Sequence, residues 1–202
     1  MHRGRLPIDQ QLVFLRDALR RNTFLVEVLT RAVGLEMPDW YLTAGCVFQT
    51  VWNVLTDRPP AEGILDYDLF YFDATDLSYA AEDAVISAGR QVFGDLPVEV
   101  QIRNQARVHL WYEERFGVAH AGYSSTEAGI DSFPALTCCI GVRLEPDGYW
   151  RVYAPHGLAD LFNLVVRPNP VLAPAEVYLA KTARWREQWP ELTVLPWPGI
   201  QG

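Results

Sequence analysis

The run Leu65-Asp66-Tyr67-Asp68-Leu69-Phe70-Tyr71-Phe72 sets two acids inside an otherwise apolar stretch. Aromatic and aliphatic residues of this kind favour an extended chain, and Ile64 to Phe72 is expected as a strand. Side chains alternate faces along a strand, so Asp66 and Asp68 point the same way, about 6.6 Å apart along the chain. Carboxylates held so close raise each other's protonation energy. Asp-x-Asp also occurs by chance on solvated strand ends, but flanks this apolar do not suit an exposed edge. The pair calls for a compensating cation, and a hard divalent ion with oxygen ligands, magnesium above all, is the natural one. Asp73 has the opposite parity and falls outside the pair.

A second strand is expected from Pro97 to Arg103. It carries Glu99 alone between Val98 and Val100. Were it to neighbour the first, Glu99 could complete a three-carboxylate site; otherwise it is a surface acid.

The 202 residues, half of them hydrophobic, suit one buried core. A single domain over 1–202 is expected, with a helical segment, 1–36, packed on it. The charge of −8 argues against an extensive nucleic-acid surface. No run approaches the ~20 apolar residues of a membrane span, and the start, with His2, Arg3 and Arg5, lacks the apolar core of a signal peptide. Cys46, Cys138 and Cys139 make no disulfide framework and no zinc spacing, so they are expected reduced and buried. A cytoplasmic location is the expectation.

Helical periodicity predicts one or two helices over Ile8–Val33, with Asn22 capping the second and Gly34 ending it. After a short strand at Trp40–Ala44, Val47–Leu55 reads as an amphipathic helix with Gln49, Thr50 and Asn53 on its polar side. Further helices are expected at Leu77–Phe93, Asn104–Phe116, Thr126–Phe133, Gly157–Val165 and Pro174–Trp189. Strands are expected at Thr137–Leu144 and Tyr149–Tyr153, joined by a Pro146-Asp147-Gly148 turn. The pattern is α+β, with a mixed sheet and flanking helices.

A glycine at a strand-to-helix turn (Ala44-Gly45-Cys46), an Asp-x-Asp strand and a later strand with Glu99 follow one another in the order that resembles the DNA polymerase beta superfamily of nucleotidyltransferases. More closely, the chain is similar to a bacterial nucleotidyltransferase-like family. The likeness lies in Gly45-Cys46-Val47-Phe48-Gln49-Thr50, Asp66-Tyr67-Asp68-Leu69-Phe70-Tyr71-Phe72-Asp73, Arg103-Asn104-Gln105-Ala106-Arg107-Val108-His109 and Ala154-Pro155-His156-Gly157-Leu158. It runs from about Trp40 to Trp189. The resemblance implies attack of an unidentified acceptor's hydroxyl on the α-phosphate of a nucleoside triphosphate. Asp66, Asp68 and Glu99 would hold two magnesium ions and carry the catalysis. Gly45, Cys46, Arg103, Gln105 and Arg107 would bind the nucleotide. The chain departs from the superfamily in having Cys46 where Gly or Ser is usual and Gln101 where some relatives place an acid. A relative that binds nucleotide without turnover, and a module that binds none, stay open at this stage.

Overall fold

The computed structural model describes residues 3–199; Met1 and His2, part of the start considered above, lie outside it. Helices α1 (Ile8–Arg20) and α2 (Thr23–Ala32) are separated at Asn22. The Asn22 side chain accepts from the Leu25 N–H and donates to Thr50 Oγ1 at 2.8 Å and the Tyr67 hydroxyl at 3.1 Å. One buried asparagine thus caps a helix and pins the N-terminal pair to the rest of the core. Helix α2 stops at Ala32, and the expected Gly34 stop lies in a following 3-10 turn.

The sheet contains β1 (Tyr41–Thr43), β2 (Asp66–Tyr71), β3 (Glu99–Asn104), β4 (Gly141–Leu144) and β5 (Trp150–Tyr153), ordered β3-β2-β1-β4-β5. Only β2 and β3 run parallel, so the sheet is mixed, as expected of an α+β chain. Parallel neighbours need a crossover, and α4 (Tyr79–Phe93) supplies it. It packs so near β3 that a Cβ on Gly89 would collide with Ile102 Cδ1. Tyr67, Leu69 and Tyr71 of β2 are buried with Ile102 in the core.

Helix α3 (Gly45–Leu55) does not have the solvent face its periodicity suggested. Gln49, Thr50 and Asn53 are all buried. Asn53 donates to the Pro60 and Glu62 carbonyls at 3.2 and 2.8 Å and accepts from Trp189 Nε1 at 2.8 Å. Its amide fastens the proline loop and the end of α8 (Ala175–Gln188) to the central helix. Phe48, Trp52, Trp185 and Trp189 pack edge-on or tilted across the same junction, with ring centroids 4.8 to 5.6 Å apart.

Three expected elements are shorter or broken. Asn104 does cap, accepting from Ala106 N–H, but it also accepts from Asp73 N–H and donates to Asp73 O. The chain bends into a 3-10 turn at Gln105–Arg107 before α5 (His109–Phe116) begins. The expected strand over Thr137–Leu144 starts late because Thr137 Oγ1 donates to Val165 O, holding Leu136–Cys138 as a 3-10 turn outside the sheet. The helix expected over Gly157–Val165 is only α7 (Ala159–Phe162), ended by Leu164 at φ 56°. The following β6 (Val165–Val166) pairs parallel with β7 (Thr193–Val194), a pairing the sequence did not suggest. Helix α6 (Thr126–Asp131) lies beside the 3-10 turn after β3, where Gln105 meets Gly129. All three cysteines are free and buried.

Asn53→Ala should lower the unfolding free energy by about 2–4 kcal/mol, because it removes one buried and two partly buried hydrogen bonds and leaves the Trp189 N–H without a partner. Urea unfolding of the variant checks this. A loss below about 0.5 kcal/mol would mean the junction does not depend on that amide.

Candidate active site

The parallel register of β2 and β3 fixes the site. Asp66 pairs with Glu99, Asp68 with Gln101 and Phe70 with Arg103, so these six side chains share the sheet face opposite Tyr67, Leu69 and Ile102. Asp66 and Asp68 do share a face, as parity required. Gln101 occupies the position opposite Asp68, and its Nε2 bridges Asp66 Oδ2 at 3.2 Å and Glu99 Oε1 at 2.9 Å. Glu99 is exposed at the start of β3 and lines neither of the cavities described below. Among the described residues no three His, Cys, Asp or Glu side chains gather as a metal site. The expected three-carboxylate cluster is thus an Asp66–Asp68 pair, with a neutral amide lying between Asp66 and Glu99.

Burial pushes the Asp68 carboxyl up to about 7, and the negative charge of Asp66 adds to it. Asp66 is raised as well, first by burial and then by Glu99. Lys181 of α8 draws both back down, with Arg103 acting on Asp68 and Arg184 on Asp66. Nearby cations therefore offset the paired charge without removing the penalty. Two desolvated carboxylates on one face fit a single hard cation, whose remaining ligands would be water and phosphate oxygens.

Asp66 and Asp68 open into a cleft of about 600 Å³, bounded by the start of α3, Phe133 and the α8 residues Lys181, Arg184, Trp185 and Gln188. The turn into α3 is strained. Ala44, a residue with a Cβ, sits at φ 60°, ψ −144°, and no side chain caps the helix. Uncapped first-turn N–H groups with the helix dipole behind them attract anions. Gly45 itself is not at positive φ; a Cβ there would press on Gln49 Nε2 at 3.1 Å. Gln49 is 7% exposed, lines the cleft, and its Oε1 has no hydrogen-bond partner.

The remaining expected binding residues divide. Arg103 lies on the site face and makes no ion pair among the described residues. Gln105 is buried but lines a second cavity that adjoins the first at Asp68. Arg107 turns away: its guanidinium pairs with Glu82 of α4 and donates to Leu77 O, and it lines neither cavity. Cys46 is fully buried, its thiol donating to Thr43 O at 3.1 Å and pushed well up by burial, so its side chain cannot reach a ligand. His156 is exposed away from both cavities, and Asp160 is paired with Arg167.

Lys181 and Arg184 lay outside the expected site, on a helix predicted without a functional role. A signal was present: Lys181 is the only lysine in a chain whose other basic residues are all arginine. Gln49 was read as surface, and nothing local marked it otherwise.

A family described as "Nucleotidyltransferase" matches residues 30–194. A solved structure titled as revealing a CCA-adding enzyme head domain superposes with a TM-score of 0.72 at 26% identity, covering 91% of this chain and 95% of that one. No curated protein matches. No helix among the described residues is long and apolar enough to cross a membrane.

Because Asp68 titrates near 7 in the fold, against the ordinary carboxylate range when unfolded, the folded chain holds that proton more tightly. The stability this gives is present below about pH 4 and is lost as pH rises to about 7. Without divalent cations, resistance to urea should therefore fall between about pH 4 and 7. Asp68→Asn should flatten the trend and stabilise the chain at pH 8 on the order of 2 kcal/mol. An unchanged slope in the variant would show that Asp68 is not strained by its surroundings.

Proposed function

The chain belongs to a nucleotidyltransferase family, and from that premise we propose that it is a metal-dependent enzyme moving a nucleoside monophosphate from a nucleoside triphosphate to a hydroxyl acceptor. The observation that carries this is the Asp66–Asp68 pair, raised by burial and facing a cleft that begins at the uncapped N-terminus of α3. Asp66 and Asp68 would hold a divalent cation, magnesium as the expected ion, which supplies positive charge to the phosphoryl oxygens. The first turn of α3 and the Gln49 amide receive the outer phosphates. Lys181 and Arg184 neutralise them from the opposite wall. The acceptor oxygen bonds to the α-phosphorus, the bond to the pyrophosphate oxygen breaks, and the hydroxyl proton goes to Asp68, the carboxylate shared by both cavities. Gln101 orients Asp66 through its amide hydrogen bond.

Gln101 also favours a second reading, nucleotide binding without turnover. An amide cannot ligate a second cation as a carboxylate does, and it is opposite Asp68 that the neutral group stands.

The two readings separate on one assay. With magnesium, a nucleoside triphosphate and a mixture of hydroxylated metabolites, the enzyme should release pyrophosphate and yield a product heavier by one nucleoside monophosphate. Asp68→Asn should cut the rate by at least ~100-fold while the variant stays folded. Triphosphate binding without pyrophosphate supports the second reading. As the only lysine, Lys181 gives an independent check: apart from the N-terminal amine, an amine-reactive reagent has one target, and magnesium with triphosphate should protect it. Full labelling at saturating triphosphate would remove Lys181 from the phosphate site.

A further inference from the structure

The second cavity, about 410 Å³, shares Asp68, Gln101, Arg115, Phe133, Pro134 and Lys181 with the first but is built differently. Its walls are mainly aromatic: Phe70 of β2, Trp111, Tyr112 and Phe116 of α5, and Phe133, which packs edge-on against Phe70 at 5.8 Å. Trp111 is 38% exposed, so the helix presents an aromatic ring that the fold does not cover. Two cations face the same space. Arg103 makes no ion pair among the described residues, and neither does Arg115, whose guanidinium lies over Trp111 and Phe116 at 5.9 and 5.5 Å. The buried carboxamide of Gln105 lies there too, its one hydrogen bond a long 3.4 Å donation to Arg103 O.

In-line displacement at phosphorus decides what such a cavity is for. The incoming oxygen must approach opposite the departing pyrophosphate. If pyrophosphate leaves toward the α3 N-terminus and Arg184, the opposite direction from Asp68 leads to the β3 edge and this cavity. We propose that the second cavity is the acceptor site, and that it takes a small anionic molecule built on a planar ring, of mononucleotide size, carrying the reactive hydroxyl. The aromatic walls stack the ring. Arg103 and Arg115 hold its phosphate or carboxylate. Gln105 reads a polar ring edge. The size fits one such molecule, and a chain with net charge −8 offers no broad surface for a long polyanion.

The proposal rests on the triphosphate occupying the first cavity, and the test keeps the two apart. Adenosine monophosphate serves as the probe, with adenosine and ribose 5-phosphate as its ring-only and phosphate-only halves. Calorimetric titrations are run with and without magnesium and non-hydrolysable α,β-methylene triphosphates. The expected result is that the monophosphate binds the protein already saturated with the triphosphate analogue, and more tightly than either half. Arg115→Gln and Trp111→Leu should each weaken it about tenfold, the loss of one ionic or stacking contact. Trp111→Leu, at a residue that lines the second cavity and not the first, should leave analogue affinity within about twofold. Arg115 is exposed and makes no ion pair, so its variant will fold even if that of Trp111 does not. Competition between monophosphate and analogue, unchanged monophosphate affinity in Arg115→Gln, or weakened analogue binding in Trp111→Leu would each overturn the assignment. An oligoribonucleotide ending in adenosine that binds where the monophosphate does not would also overturn it, making the occupant a nucleic-acid end. Failure of the analogue alone, with ring-and-phosphate binding intact and sensitive to Trp111, strikes the triphosphate site and not this one.

Discussion

Two negative charges on one side of a largely buried strand are the constraint around which the molecule is arranged. The parity of β2 forces Asp66 and Asp68 onto one face, and the core residues Tyr67, Leu69 and Tyr71 forbid the strand from turning over. The repulsion cannot be relieved by rotating the ladder, so it is met from outside. The β3 strand sets an amide, Gln101, opposite Asp68 and a guanidinium, Arg103, two residues further along the same face, and α8 lays its lysine and an arginine across the opening. The structure keeps a strained pair and surrounds it with partial compensation, as the proposed site for a cation and a polyanionic ligand would require.

Holding α8 in place is therefore as consequential as forming the strand. The helix is fastened at Trp185 and Trp189, which pack on Phe48 and Trp52 of α3, and by the Trp189 N–H to Asn53. Helix α3 thus presents its uncapped N-terminus to the cleft and its flank to α8. The same rigid element sets both the anion-attracting end and the distance to Lys181. The strain at Ala44 belongs to this arrangement: the chain must leave β1 and enter α3 within one residue, and the over-determined packing on both sides holds an unfavourable φ there.

What was legible in the sequence follows the range of the interactions. The Asp66–Asp68 face is a local consequence of strand parity and could be read directly. So could the Asn22 cap and the Gly148 turn at φ 83°. The polar side of α3 was misread because periodicity reports polarity, not partners, and Thr50 and Asn53 spend theirs on residues 28 and 136 positions away. Arg107 resembled a phosphate ligand until Glu82, 25 positions earlier, claimed it. Lys181 belongs to the site only through the docking of α8, which no local pattern encodes, although its being the sole lysine was visible all along.

Charge accounting then bears on how many cations such a site can use. Three carboxylates would invite two divalent ions, but Glu99 sits at an exposed edge with Gln101 between it and Asp66. One divalent ion neutralises the remaining pair and leaves nothing for the outer charges of a triphosphate. In the proposed reaction those charges would have to be met by the protein, and Lys181, Arg184 and the α3 dipole stand around the cleft, the two side chains without carboxylate partners among the described residues. A fixed ammonium also differs from a second metal ion: it needs no carboxylate ligand and is positioned by the fold before substrate arrives. The neutral Gln101 and the lone Lys181 are then two sides of one solution, in which positive charge is supplied from α8 rather than collected by a third acid on β3.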